Sequence, residues 1–335
     1  MEQSPRVDAP PPLGSVFRCP RCGRRLGLSR RRAHGQCESC DLAIEVEEGI
    51  YDFVLDPDRD AERRHYDADY RDAPNTAPVR PAELEPVWRD PGRPIHGAIM
   101  ETVGSCQEKV VLVLGNGDGT RELWFLTHEP KLLVLSDLSL EAMRSVARKA
   151  ILDGSSDRLA LAAIDALNLP IQDESVDLVY GMAFVHHLPD VDLFLAEVAR
   201  VLRPGGRAVF RDDGEAPAWQ AVKTTWLRPL MRLSHRLEPR SPEDLRHTLE
   251  GGFREATLSS KINNVGGRPF FERRDLLVYL WQRAVESLIP RRQTALRNNR
   301  LIVPRLAALD ARLRRFEWAR RNQMHLIWGF DKPPR

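Results

Sequence analysis

The sequence has no apolar run of eighteen residues, so no membrane-spanning helix is expected. Its proline-rich, polar beginning lacks the layout of a signal peptide, and a cytoplasmic location is the default expectation. It also lacks an excess of either charge. The 50 Lys and Arg nearly cancel the 48 Asp and Glu, leaving a net of +2, so no global field argues for nucleic acid. Cysteine is scarce, with five in 335 residues, and a reducing cytoplasm disfavours disulfides. The length suits one large core plus a small module.

Four of the five cysteines fall into two C-x-x-C knuckles, Cys19-Pro20-Arg21-Cys22 and Cys37-Glu38-Ser39-Cys40, fourteen residues apart. Each knuckle presents two thiolates from a tight turn. Four sulfurs satisfy tetrahedral Zn²⁺, and so short a segment does not fold on apolar burial alone. The remaining Cys106 reads as a core residue or an inert surface thiol. Seven arginines, Arg18, Arg21, Arg24, Arg25, Arg30, Arg31 and Arg32, make this module basic. Two readings stand: an RNA patch, or a solvated charged loop, since no aromatic residue is interleaved to stack on bases.

The chain is organised around Val110-Val111-Leu112-Val113-Leu114-Gly115-Asn116-Gly117-Asp118-Gly119. An apolar run rich in β-branched residues and ended by glycine reads as a strand buried on both faces. Its glycine loop then sits at a strand's carboxyl end, where open α/β sheets bind ligands. The glycines permit a tight turn and close approach of a ligand to the main chain. A dinucleotide fingerprint would have glycine at the sixth position, where Thr120 stands, and Asp118 would oppose a pyrophosphate. The acidic loop suits S-adenosylmethionine better, whose sulfonium and ammonium are cationic. Further strands are expected at 131–136, ending at Asp137, and at 159–164, 176–181 and 207–211, with helices at 139–152 and 191–202. A carboxylate about twenty residues past the glycine loop is placed to accept hydrogen bonds from a ribose.

The motifs L-G-N-G-D-G, S-D-L-S, D-A-L-N-L-P, D-E-S-V-D-L-V-Y-G, H-H-L-P-D and L-R-P-G-G-R-A-V-F, in that order, resemble the class I S-adenosylmethionine-dependent methyltransferases, in particular the quinone and small-molecule branch. The resemblance implies a Rossmann-like α/β fold with a seven-stranded, mostly parallel sheet, an antiparallel last strand and S-adenosylmethionine as cofactor. It assigns the cofactor to Gly115, Asn116, Gly117, Gly119, Asp137, Leu138, Asp165, Ala166 and Met182, with Asp137 on the sugar and Asp165 near the adenine. One departure is Leu114, where the family usually has an acidic residue. The cysteine module, with Gly49-Ile50-Tyr51-Asp52-Phe53, resembles the zinc ribbon fused to some bacterial methyltransferases.

On this reading residues 1–14 are a disordered lead and 15–54 the zinc ribbon. Residues 55–93 are a linker with a lid helix, in which Tyr66 and Tyr70 share one face. Residues 94–262 form the core, opened by a helix at 94–103 and closed by a sixth strand at 253–262. Residues 263–322 are a helical insertion that caps the substrate, and 323–335 are the closing strand and tail. Residues 216–237 read as a basic, tryptophan-bearing amphipathic helix, suited to a lid or to peripheral contact with a membrane. Ser241-Pro242 reads as a helix start, and Gly251-Gly252 as that helix's end.

Methyl transfer from a sulfonium needs alignment of nucleophile and methyl and exclusion of water. A hydroxyl nucleophile also needs a base. His186 after the fourth strand is the candidate base, and Asp212 at the end of the fifth is its orienting partner; alternatively, His186 and His187 only begin the next helix. The expected acceptor is a small molecule or an amphiphile, modified on oxygen or carbon. RNA is the second reading and a cofactor-binding protein without chemistry the third. The oligomeric state is open.

Overall fold

The run Val110–Leu114 forms a strand (β4) whose five residues are all buried. Val110, Leu112 and Leu114 pack into one apolar layer, and Val111 and Val113 into the other. That double burial is why the sequence shows a continuous apolar run rather than an alternation. The computed structural model describes residues 13–28, 34–72, 77–152, 154–216, 253–288 and 294–335.

Four parallel partners extend from β4. On one side lie β5 (Leu132–Asp137) and β6 (Leu159–Ala163). On the other lie β7 (Val176–Met182) and β8 (Leu202–Asp213). Antiparallel β10 (His325–Asp331) pairs with β8, and β9 (Arg268–Arg274) closes that edge. The full sheet has ten strands rather than seven. The extra three are the hairpins of the cysteine module, β1 (His34–Gln36), β2 (Ala43–Glu47) and β3 (Ile50–Asp52). Strand β3 pairs in parallel with β6, Ile50 opposite Leu161 and Asp52 opposite Ala163. The module is therefore continuous with the core sheet. Phe17 adds to the join by an isolated antiparallel bridge to Ile171, and the Arg18 amide donates to the Pro170 carbonyl at 2.9 Å.

Helix α1 (Pro57–Asp72) follows β3, and α2 (Pro94–Val103) precedes β4. Helix α3 (Leu140–Lys149) is started by Ser139, whose hydroxyl accepts from the Ala142 amide at 3.0 Å. Helix α4 (Val191–Val201) is started in the same way by Asp190. The glycine loop leads into a 3-10 helix, Thr120–His128.

The sixth strand is not at 253–262. Residues Glu255–Asn264 form a helix (α5), because Leu258 and Ile262, four apart, share one buried face. The strand in its place is β9, an edge strand that tolerates Pro269. The helical insertion accordingly begins after β9 and comprises α6 (Leu276–Leu288), α7 (Thr294–Arg297), α8 (Ile302–Leu313) and α9 (Glu317–Arg321). All but the first residue of the 216–237 segment, together with Ser241-Pro242 and Gly251-Gly252, lies outside the described residues. Among the described residues no helix is long and apolar enough to cross a membrane.

Candidate functional site

At the carboxyl ends of β4 and β5, Gly115, Gly117, Ser136, Asp137 and Leu138 line a cavity of about 160 Å³. The loop holds Gly115 at φ 62°, Gly117 at 59° and Gly119 at 35°, a region that side chains adopt at a cost. A Cβ on Gly115 would stand 2.3 Å from the Phe184 ring, and one on Gly117 would stand 2.8 Å from the Tyr70 hydroxyl. Asp137 accepts from the Gly117 amide at 2.7 Å and from the Ser139 amide at 2.9 Å. Burial raises its pKa, against these amides.

The far wall is α1. Arg59, Glu62, Tyr66 and Tyr70 all line the cavity, at intervals of three and four that put them on one helical stripe. Three polar ties hold this helix. Arg63 donates to Asp52 at 2.7 Å, Arg59 grips both carboxylate oxygens of Asp165 at 3.0 and 3.1 Å, and Asp67 accepts from the Ser139 hydroxyl at 2.6 Å and the Glu141 amide at 3.1 Å. Tyr66 also meets the His187 ring edge-on, 6.5 Å between centroids.

Of the nine cofactor residues expected from the sequence, Gly115, Gly117, Asp137, Leu138 and Ala166 line this cavity. Asp165 is engaged by Arg59. Asn116 and Gly119 do not line it; the Asn116 amide lies against Gly119, where a Cβ would come within 1.5 Å of its nitrogen, and both its polar atoms are buried without a partner among the described residues. Met182 lines a second cavity instead. Asp118 is paired with the buried Lys149 at 3.1 Å, so its charge is partly neutralised rather than left for a cation. Sequence reasoning missed Arg59, Glu62, Phe184 and His187; for the first two, the stripe with Tyr66 and Tyr70 was the available signal.

His186 and Asp212 are brought together, Nδ1 to Oδ1 at 2.9 Å. Asp212 is fully buried, and its other oxygen accepts from the Trp328 indole at 3.1 Å. Neither residue is among those lining the two cavities.

The second cavity, about 220 Å³, is lined by Arg93, Arg121, Arg211 and Arg297, with His96, His325, Asp275 and Met182 among its other residues. Met182 and Arg211 are register partners on β7 and β8. His325 bonds Asp275 at 3.0 Å. Burial, then neighbouring arginines, pushes His96 down to about 4, and burial lowers His325 in the same direction. Both imidazoles are neutral at pH 7.

The four knuckle sulfurs lie within 4.8 Å of one another. Cys19 and Cys40 are 3.5 Å apart, as are Cys22 and Cys37, near the roughly 3.8 Å edge of a tetrahedron with 2.3 Å zinc–sulfur bonds. Both knuckles make the same turn. The residue after each second cysteine is left-handed, Gly23 at φ 71° and Asp41 at 54°, and the Gly23 and Asp41 amides donate to the carbonyls of Cys19 and Cys37 at 2.9 Å. Cys106 is buried in the core. Arg18 reaches Asp173 at 2.9 Å, Arg21, Arg24 and Arg25 are exposed, and Arg30, Arg31 and Arg32 lie outside the described residues.

Residues 112–210 match the methyltransferase-domain family. The chain is 33% identical over 105 residues to the 27-O-demethylrifamycin SV methyltransferase of Amycolatopsis mediterranei, covering 30% of this chain and 38% of that protein. It is 47% identical over 75 residues to the phthiotriol/phenolphthiotriol dimycocerosates methyltransferase of Mycobacterium tuberculosis, covering 22% of this chain and 27% of that protein. An S-adenosylmethionine dependent methyltransferase from Mesorhizobium loti superposes with a TM-score of 0.45 at 18% identity, over 71% of this chain and 97% of that one. The chain spans less than half the length of the sequence relatives it matches.

Proposed function

We propose that this chain, whose segment 112–210 is a class I methyltransferase domain, is an S-adenosylmethionine-dependent methyltransferase acting on a small-molecule or lipid-like acceptor at oxygen or carbon. One observation carries the cofactor reading: the glycine loop at the tip of β4 and the carboxylate at the tip of β5 share one cavity. Bound there, S-adenosylmethionine would supply a methyl group activated by the positive sulfur. Gly115 and Gly117 leave room at the main chain, and Asp137 would hold the ribose hydroxyls. Leu114 brings no charge; Glu62 from α1 lines the cavity as a carboxylate, with one oxygen paired to Arg59, which divides its guanidinium between Glu62 and Asp165. Arg59, by neutralising Asp165, leaves Ala166 and Ile164 as apolar wall for the adenine.

The names of the two sequence relatives give 27-O-demethylrifamycin SV and phthiotriol/phenolphthiotriol dimycocerosates as what those proteins act on, which supports a small-molecule or lipid-like acceptor. His186, oriented by Asp212 though lining neither cavity, is the proposed base for a hydroxyl acceptor. The thiolates of Cys19, Cys22, Cys37 and Cys40 fit Zn²⁺, proposed here as a structural ion that fixes the module beside β6. Calorimetry with S-adenosylmethionine tests the cofactor. Binding that weakens at least tenfold in Asp137→Ala is expected, and no heat at millimolar ligand rejects the reading. Transfer of labelled methyl into cell extract, separated into lipid, RNA and protein, then finds the acceptor. Label in RNA alone would overturn the acceptor class.

A further inference from the structure

The tip of β7 contributes a residue to each of the two cavities. Met182 lines the arginine cavity and its neighbour Ala183 lines the glycine-loop cavity, and consecutive Cα atoms are about 3.8 Å apart. Ala183 takes φ 58°, unusual for a residue with a side chain, and its amide donates to the Arg211 carbonyl at 2.7 Å.

The chemistry of that cavity is one-sided. Among the described residues its lining carries four guanidinium groups against one carboxylate, and that carboxylate, Asp275, is committed to His325. Arg121 and Arg211 each have an acidic neighbour, Glu122 at 3.2 Å and Asp213 at 3.0 Å. Yet Arg211 keeps its Nε buried without a partner among the described residues. The Arg93 guanidinium makes no ion pair among the described residues, and burial together with Arg121 lowers its pKa. Helix α2 begins at Pro94, so its first turn, with Pro94, Ile95 and His96 in the lining, adds the positive end of a helix dipole. Like charges gathered at a partly buried site are costly unless an anion neutralises them.

We propose that the arginine cavity is the acceptor subsite and that it selects acceptors bearing a carboxylate or phosphate group, held by Arg93, Arg121, Arg211 and Arg297. This rests on the methyltransferase reading for the word acceptor; the anion site itself does not depend on it. Guanidinium forks match planar or tetrahedral oxyanions bidentately. The same charges reject protonated amines. Met182, Ile95 and Val278 give the remainder of such a molecule an apolar wall.

The test is calorimetry on the full-length protein with two probes, inorganic phosphate and succinate, alongside S-adenosylmethionine. At least one probe is expected to bind the wild type, and to bind Arg93→Gln and Arg211→Gln at least tenfold more weakly, while exposed Arg312→Gln stays within twofold. The tighter probe identifies the oxyanion. Arg297→Gln, on the exposed side of α7, gives the same comparison in a position whose loss cannot empty the core. Equal probe affinities in wild type, Arg93→Gln and Arg297→Gln, with S-adenosylmethionine binding intact, would overturn the anion site. Probe binding lost in the variants from a protein that never binds S-adenosylmethionine would uphold the anion site and reject the methyltransferase reading instead.

Discussion

Gly115 shows how one residue ties loop conformation to the cavity. Its φ of 62° and a Phe184 ring that would stand 2.3 Å from any Cβ leave no place for a side chain. Gly115→Ala is expected to lose about 1–3 kcal/mol of stability and to weaken S-adenosylmethionine at least tenfold; denaturant unfolding and calorimetry measure both, and a variant with unchanged affinity would detach the loop from cofactor binding. The glycine and Asp137 were legible because turn geometry and strand ends leave marks in a single stretch of sequence. Phe184 was not, since its role is to fill space over Gly115 and Gly181, glycines lying far from each other along the chain. The partner of Asp118 was hidden for the same reason. Its loop position is local, but its partner Lys149 sits on another element and is buried.

Helix α1 carries four cavity residues on one stripe and is held by ties to β3, to the residue Asp165 beyond β6 and to the start of α3. Of these, Asp67 is the most buried and joins two donors at the start of α3. Asp67→Ala removes both, at a cost of about 1–3 kcal/mol. The expected result is faster amide exchange in α1 and a several-fold weaker S-adenosylmethionine affinity, measured by hydrogen exchange and calorimetry. Unchanged protection in α1 would show that the other two ties suffice. Tyr66 and Tyr70 announced a helical face and a lid helix in the sequence, while the ties that hold this helix to β3, Asp165 and α3 could not be read there. The misplaced sixth strand has a related cause: a short apolar stretch fits strand or helix, and the packing of Leu258 and Ile262 decided for helix.

Across the whole molecule, the arginine cavity leaves a signature in the dependence of stability on pH. His96 in the fold takes up its proton near 4, whereas in the unfolded chain it does so near 6.5. Between those values the unfolded state binds more protons, so this contribution is complete above about pH 6.5 and is lost as pH falls toward 4. By pH 5 the loss is about 2 kcal/mol. Burial raises Asp137, Glu122 and Asp310, which works in the opposite direction. Unfolding of wild type and His96→Asn at pH 7 and pH 5 separates the two, because both proteins share those carboxylates. The wild type is expected to lose about 2 kcal/mol more than the variant over that interval, and equal losses would show that His96 is protonated normally. The sequence by itself determined the parallel core of the sheet, the glycine loop, the carboxylate at the end of β5 and the cysteine knuckles, because each is a local pattern of residues a few positions apart. Only the tertiary structure decided that the cysteine module continues the sheet through β3 and β6, that α1 walls the first cavity, and that arginines 93, 121, 211 and 297 meet in the second. Those depend on which edges pair and which faces pack, and such contacts join residues separated by tens to hundreds of positions.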